Sequence, residues 1–231
     1  MWDIERKKGW TFEGKHMNMI NKVLLWDEYS AFSCSIDRSI RYFDRRDWGN
    51  ANDNFTEDSD TLNGYKYSKY FMGHKKSVTQ LRRLNNSHNR IVSASEDGTI
   101  KIWDLYTNLY CDSYSNSKHK FKDNTEIIEP LQSIGADDAA GIRHLEMNQN
   151  YLVSYSNEAN ELVVRDWEKP NQPLLTLTNL GHVLGLTEVH RGQYSGAGFE
   201  IANMVLCKED QHLLITSESK RMRIWDLRQP L

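Results

Sequence analysis

One stretch of the chain, residues 73–105, constrains the fold more than any other. It begins with Gly73-His74 and ends with Trp103-Asp104-Leu105, and three short apolar segments lie between these ends. Glu96-Asp97-Gly98 separates the second segment from the third, and Asp-Gly between β-prone segments is a strong hairpin signal. Segments of about five to eight residues suit strands and are too short for helices. The sequence therefore predicts an antiparallel meander.

This stretch resembles one repeat of the WD-repeat (WD40) β-propeller family, whose four-stranded blades carry a Gly-His … Trp-Asp signature. The resemblance implies a hydrogen-bonded chain that ties the strands of one blade together through His74, Ser93, Asp97 and Trp103. An imidazole can bridge a carboxylate and a hydroxyl, and the indole N–H supplies a further donor. A buried network of this kind, with every member satisfied, is expected to make the blade rigid.

The repeat pattern covers nearly the whole chain. The aspartates that close successive repeats are Asp3, Asp44, Asp104, Asp166 and Asp226. Their spacings are 41, 60, 62 and 60 residues. The first spacing matches the family's period of about 40 to 45 residues, and each later one fits that period plus an insertion of about 20 residues.

The resemblance, with which these spacings agree, implies an all-β fold, a β-propeller of WD repeats that forms a single domain over residues 1–231. The four recognisable repeats are approximately 9–46, 67–105, 129–167 and 173–228, and the insertions are 47–64, 106–128 and 183–200. Rings in this family typically have about seven blades. We therefore expect this chain to be an incomplete part of a larger ring. The alternative is a compact ring in which residues 9–14 supply the outer strand of the last blade.

The other three repeats keep only part of the signature. Ser33 and Asp37 keep the offsets of their counterparts in the reference stretch, but Phe43 replaces the tryptophan. Because phenylalanine has no N–H, the hydrogen-bonded chain is predicted to be shorter there. Arg165 stands at the tryptophan position of the third repeat, where we predict the strands without the hydrogen-bonded chain. In the last repeat, the turn at 218–220 lacks the aspartate.

The insertions are polar and are expected to be solvated loops. Residues 47–64 carry five acidic residues and no basic one. Such a segment cannot bury enough apolar surface to become ordered. Residues 106–128 include three lysines around Phe121, which are too few to indicate nucleic acid on their own.

We predict no catalytic residue, no cofactor and no metal. The net charge of −3 does not favour nucleic acid. The three cysteines, Cys34, Cys111 and Cys207, lack the spacing of a zinc site or a disulfide framework. The chain contains no apolar segment near the ~20 residues of a membrane span and no signal peptide. These features predict a protein of the cytoplasm or nucleus that makes no membrane contact.

The resemblance implies a non-catalytic scaffold or adaptor subunit of a multiprotein complex, with other proteins or peptides as partners. One alternative is a substrate receptor of a cullin–RING ubiquitin ligase, because such receptors often carry Trp-Asp-x-Arg and use the arginine to contact an adaptor. Arg46 and Arg228 occupy that position. An RNA-associated scaffold is a lesser alternative. We expect partners to bind the rim that carries 47–64, 106–128 and both arginines rather than the rim that carries 183–200.

Overall fold

The computed structural model describes residues 2–3, 8–9, 16–44, 69–84, 87–106, 126–135, 139–178, 200–207, 209–217 and 222–228. Every regular element in these residues is a β-strand. Four sheets of three to five strands, here called blades 1 to 4, follow one another along the chain. A separate pair consists of β1 (Trp2–Asp3) and β2 (Lys8–Gly9). The all-β propeller fold predicted from the sequence is confirmed in these blades.

Blade 1 contains five strands. They are β3 (Ile20–Leu25), β4 (Ser30–Ser35), β5 (Ile40–Asp44), β6 (Lys69–Phe71) and β10 (Glu126–Ile128). The strands β3 to β6 are antiparallel in sequence order, and β10 lies parallel to β6 at the outer edge. In the insertion 106–128, for which the sequence predicts a solvated loop, residues 126–128 form a strand instead. Ile127 and Ile128 are β-branched residues that favour a strand, and Ile128 is fully buried.

Blades 2 and 3 each contain four antiparallel strands. Blade 2 consists of β7 (Val78–Arg83), β8 (Arg90–Ser95), β9 (Ile100–Asp104) and β11 (Gln132–Ile134). Blade 3 consists of β12 (His144–Met147), β13 (Tyr151–Ser156), β14 (Glu161–Asp166) and β15 (Pro173–Thr178). In blade 4 the described residues form β16 (Asn203–Leu206), β17 (Leu213–Ser217) and β18 (Met222–Asp226). The first strands of successive blades pack side by side, β3 on β7, β7 on β12 and β12 on β16.

Each complete blade takes its outer strand from the following sequence repeat. The strand β6 belongs to the predicted repeat 67–105, yet it pairs with β5 of blade 1. In the same way β11 pairs with β9, and β15 pairs with β14. The sequence repeat and the blade are therefore offset by one strand, so that the chain leaves each blade from its outer edge.

Three hydrophobic cores separate the four blades. The core between blades 1 and 2 includes Phe32, Tyr42, Leu81 and Trp103. The core between blades 2 and 3 includes Val92, Ile102 and Leu145, and the core between blades 3 and 4 includes Val153, Val164, Met204 and Trp225. In each core, the second and third strands of one blade pack on the first strand of the next. The same strand positions thus build all three interfaces.

Candidate functional site

The four side chains predicted in blade 2 form one hydrogen-bonded chain. The Nδ1 atom of His74 lies 2.9 Å from Asp97 Oδ2, and its Nε2 atom lies 2.7 Å from Ser93 Oγ. The indole N–H of Trp103 donates to the same Ser93 oxygen over 2.8 Å. All four residues are buried. The chain joins the segment before β7 to β8, to the following turn and to β9.

The carboxylate of Asp97 is the most heavily bonded member of this chain. The hydroxyl and the N–H of Thr99 donate to its Oδ1 over 2.6 Å and 2.9 Å, and the N–H of Lys75 donates to Oδ2 over 2.8 Å. Burial acts to raise the pKa of Asp97, but the hydrogen bonds from His74 and Thr99 outweigh it and hold the pKa well below its usual range. The buried charge is therefore stabilised by donors on several sides.

The residue types and distances in this chain are those of a Ser-His-Asp catalytic triad. In a triad, the serine oxygen must be open to a substrate. Here Ser93 is 0% exposed, and its oxygen already contacts both His74 and Trp103. The arrangement can hold strands together, but it offers no nucleophile to a substrate.

The turn beside Asp97 requires a left-handed backbone. Gly98 has a φ of 81°, and a Cβ atom added to it would lie 2.7 Å from the Cβ of Ala139. The equivalent turn of blade 1 has Arg38 in the same place, with a φ of 71°. Side chains other than glycine are disfavoured in this conformation, so the blade 1 turn carries a conformational cost that the blade 2 turn avoids.

Blade 1 repeats the hydrogen-bonded chain without its last donor. The Nδ1 and Nε2 atoms of His16 lie 2.9 Å from Asp37 Oδ2 and 2.7 Å from Ser33 Oγ. Phe43 occupies the cross-strand position that Trp103 has in blade 2. The chain is shorter here, as the sequence predicts. Burial lowers the pKa of His16, and its hydrogen bond to Asp37 opposes this without overcoming it.

Blades 3 and 4 keep a side-chain hydrogen bond from the third strand to the second. In blade 3, Arg165 Nη1 donates to Ser154 Oγ over 3.0 Å. The prediction of no hydrogen-bonded chain in blade 3 is corrected in this respect, because the guanidinium takes the place of the indole. In blade 4, the indole N–H of Trp225 donates to Thr216 Oγ1 over 2.9 Å. A side-chain donor at the tryptophan position was the sequence signal for the Arg165 bond.

Arg228 lies exposed at the end of blade 4. Its Nε and Nη2 atoms donate to the two carboxylate oxygens of Asp226 over 2.9 Å and 2.7 Å. These bonds hold the pKa of Asp226 at about 2. Arg46, the other predicted adaptor contact, lies outside the described residues, as do the insertion 47–64, residues 107–125 and residues 183–199.

A cavity of about 770 Å³ opens between blades 2 and 3, and we call it the lower cleft. Its lining includes Arg90, Leu131, Trp167 and Lys169. It lies at the rim where the third strands end, because Trp167 directly follows β14. The ring of Trp167 packs partly on the core between the blades, and Leu131 is exposed. Sequence analysis did not identify this site, although Trp167 stands directly after the closing aspartate of the third repeat.

A second, smaller cavity of about 400 Å³ lies at the opposite rim, and we call it the upper cleft. Its lining comes from blades 1, 2 and 3 and includes Asn21, Glu96, Arg143, His144 and Glu158. Burial and the neighbouring charge of Arg143 lower the pKa of His144. The upper cleft is thus mainly polar and charged, whereas the lower cleft combines an indole and an aliphatic side chain with Arg90, Lys169 and Glu168. The guanidinium of Arg90 also donates to Asp104 over 3.2 Å.

The His, Cys, Asp and Glu side chains of the described residues form no group of three or more that could hold a metal ion. The same part of the chain also includes no helix that is long and apolar enough to cross a membrane.

Comparison with known proteins gives similarities over part of the chain. The family model "WD domain, G-beta repeat" matches residues 65–104. A 48-residue segment, 21% of this chain, is 40% identical to "Nuclear distribution protein nudF" of Emericella nidulans and covers 11% of that protein. A longer match, 24% identical and covering 68% of this chain, is to "Target of rapamycin complex subunit LST8" of Saccharomyces cerevisiae. The chain spans 55% of that second relative.

Proposed function

This chain is a WD-repeat protein built from β-propeller blades, and from that premise we propose that it is a non-catalytic scaffold that binds other proteins within a multiprotein complex. The similarity to LST8 supports this proposal, since that relative is described as a complex subunit. The buried Ser93 supports the non-catalytic part, because the set of side chains that most resembles a catalytic triad is closed to substrates. Residence in the cytoplasm or nucleus stays a prediction.

The lower cleft is the observation that carries the proposal. Tryptophan and arginine are the side chains that most often dominate binding energy at protein interfaces, and Trp167 and Arg90 line this cleft together with the exposed Leu131. Its volume lies within the range of about 300 to 1,000 Å³ that is common for binding sites. A peptide segment with an apolar side chain would suit Trp167 and Leu131 in this lining.

The rim of the lower cleft is also the rim predicted to bind partners. Connections from third to outer strands lie there, and residues 167–172 are the connection in blade 3. The predicted insertions 47–64 and 106–128 follow third strands as well, and Arg228 follows β18. Loops on a rigid scaffold are where binding residues concentrate. We therefore assign the partner surface to this rim.

Affinity purification of the tagged chain from its native cells tests the proposal through matched variants. We expect Leu131→Asp and Trp167→Ala each to lose a captured partner. Leu131→Asp is the cleaner variant because Trp167 also packs on a core. Arg143→Glu is the matched control in the upper cleft, where Arg143 is exposed, and it should keep the partner. The assignment would be contradicted if both lower-cleft variants still captured the partner while replacement of residues 183–200, or the change at Arg143, abolished its capture.

The ubiquitin-ligase alternative stays a prediction that rests on Arg46 and Arg228. The exposure of Arg228 at this rim favours it, although the guanidinium is already paired with Asp226. Charge reversal of both arginines should remove a ligase adaptor from the purified complex if this alternative holds. Retention of all partners in that double variant would reject it.

A further inference from the structure

The turn between the second and third strands of blade 3 carries a carboxylate that differs from its counterparts. Glu158 stands four residues after the serine of the second strand, the place that Asp37 and Asp97 have in blades 1 and 2. Each of those aspartates lies 2.9 Å from a histidine, and at most 8% of its side chain is exposed. Glu158 is exposed, and within the described residues its carboxylate accepts one hydrogen bond, from the N–H of Gly141 over 3.2 Å. This carboxylate therefore keeps acceptor capacity that a histidine uses in the other two blades.

A second carboxylate approaches the same point from blade 2. Glu96 stands in the equivalent turn of that blade, and both glutamates line the upper cleft. A Cβ atom added to Gly141 would lie 3.0 Å from the Cα atom of Glu96. Glycine at 141 thus lets the two turns come together without a side chain between them. Glu96 is exposed, and no hydrogen bond or ion pair of its carboxylate occurs within the part of the chain that the structure describes.

The uncharged side chains of the upper cleft have already used their donors. The amide nitrogens, the hydroxyl and the imidazole Nε2 atom in its lining each contact an acceptor inside the protein, and they belong to Asn21, Thr79, Gln80, His144 and Asn157. The side-chain oxygens of Gln80 and Asn157 are buried and have no partner among the described residues. Most buried polar atoms in proteins are hydrogen-bonded. The upper cleft is therefore short of donors.

The charge of the lining is negative. Glu96 and Glu158 contribute two negative charges and Arg143 one positive charge, which gives a formal sum of −1. The Arg143 guanidinium is 61% exposed and lies 3.8 Å from Glu200, which is outside the lining. Burial and the charge of Arg143 lower the pKa of His144, so its imidazole is neutral and Nδ1 is one more acceptor.

A ligand that suits this cleft supplies hydrogen-bond donors and a positive charge. Arginine has five N–H donors and no acceptor, and its planar guanidinium matches a carboxylate in two parallel hydrogen bonds. Lysine is a compact, strongly hydrated point charge that lacks this geometry. We propose that the upper cleft binds an arginine side chain of a partner polypeptide, with Glu96 and Glu158 as its carboxylate contacts. The cavity of about 400 Å³ lies within the range of about 300 to 1,000 Å³ that is common for binding sites.

This site is independent of the lower cleft, which lies at the opposite rim. Loss of a partner from one cleft leaves the other unchanged, so the two assignments succeed or fail separately. Arg143 stands beside the proposed site and opposes the approach of a guanidinium, because like charges brought together are unfavourable. The removal of its charge is therefore expected to act in the opposite direction to the removal of either carboxylate.

Isothermal titration calorimetry of the full chain with the peptide acetyl-Ala-Arg-Ala-amide measures the binding. Glu96→Gln and Glu158→Gln should each weaken it about three- to tenfold, because each removes a charge-assisted contact at a partly solvated site. Arg143→Gln should strengthen it about two- to fivefold. Glu28→Gln is the matched control, since Glu28 is an exposed glutamate in the turn between β3 and β4 at the opposite rim, and it should leave the affinity unchanged. Circular dichroism verifies that the four variants are folded.

Three further probes identify the chemistry of the ligand. The same peptide with citrulline in place of arginine keeps the shape without the charge and should not bind, and the peptide with lysine should bind more weakly than the arginine peptide. Methylguanidinium alone should also bind more weakly, because it lacks the polypeptide. Equal affinity for methylguanidinium and the arginine peptide would indicate a free small cation and overturn the assignment to a polypeptide.

Three other results would also overturn the proposal. One is the absence of heat with the arginine peptide at millimolar concentration. Another is an equal weakening by Glu28→Gln and Glu96→Gln, which would show attraction to the net charge of −3 rather than a site. The third is tighter binding of the lysine peptide.

Discussion

Ser93 is the residue at which the hydrogen bonds of blade 2 meet, and its counterpart Ser33 makes one side-chain contact fewer. Ser93→Ala leaves both Trp103 Nε1 and His74 Nε2 without their partner. A buried polar group left unpaired costs about 1 to 3 kcal/mol. We therefore expect Ser93→Ala to lower the free energy of unfolding by more than Ser33→Ala, which frees His16 alone. Urea unfolding of the two variants measures both values, and equal losses would refute the ranking.

Asp37 makes the stability of blade 1 depend on pH in the acidic range. Burial acts to raise the pKa of Asp37, but hydrogen bonds from Ser39 and His16 outweigh it and hold the pKa at about 2. The pKa of an unfolded aspartate is about 3.9. Because the folded pKa is the lower one, the stabilisation is complete above about pH 4 and is lost as the pH falls towards about 2.

Asp37→Asn should therefore lower the melting temperature at neutral pH and make its decline between about pH 4 and pH 2 less steep. Thermal melts of parent and variant across this range provide the measurement. If the melting temperatures of parent and variant differed by the same amount at every pH in this range, Asp37 would have the same pKa in the folded and the unfolded chain.

Individual residues could be predicted where their spacing defines their role. His74, Ser93, Asp97 and Trp103 are fixed by the distance between the two dipeptides of the signature, and the structure brings them together. Arg165 was missed because its bond depends on how a long side chain turns in a particular blade. The binding potential of Trp167 depends on the gap between two blades, which no local pattern describes.

At the scale of the elements, the turn between the second and third strands can be compared directly in two blades. Arg38 holds a φ of 71° on an exposed turn, where glycine would avoid the steric cost. We expect Arg38→Gly to stabilise the protein by about 0.5 to 1 kcal/mol. Gly98→Ala should destabilise it by more than about 1 kcal/mol, because its φ is positive and Ala139 is adjacent. Chemical unfolding gives both values, and a loss of stability in Arg38→Gly would contradict this account.

Most strands could be predicted because each one alternates or clusters apolar residues between clear turns. The strand β10 could not, since it has three residues and its partner β6 lies far earlier in the chain. Pairing over such a distance has no local signature. The offset between repeat and blade also follows from hydrogen bonding rather than from the spacing of residues.

For the whole molecule, the period of the signature agrees with the four blades seen in the described residues and with their all-β architecture. Ring closure could not be predicted, because it depends on the angle at which one blade packs on the next. That angle is set by side-chain volumes in the three cores, such as Phe32 and Tyr42 in one and Val92 and Ile102 in another. A repeat period reports how many blades a chain encodes and leaves their rotation undetermined.

The one-strand offset also determines how the molecule would respond to mechanical load. A force that pulls two neighbouring blades apart along the chain must first peel an outer strand from its sheet. The outer strand is held by three residue pairs in blade 1, three in blade 2 and five in blade 3. In blade 1, β6 is also paired on its outer side with β10. The pairing of β11 with β9 should therefore break first under load, and the longer pairing of β15 with β14 should break last.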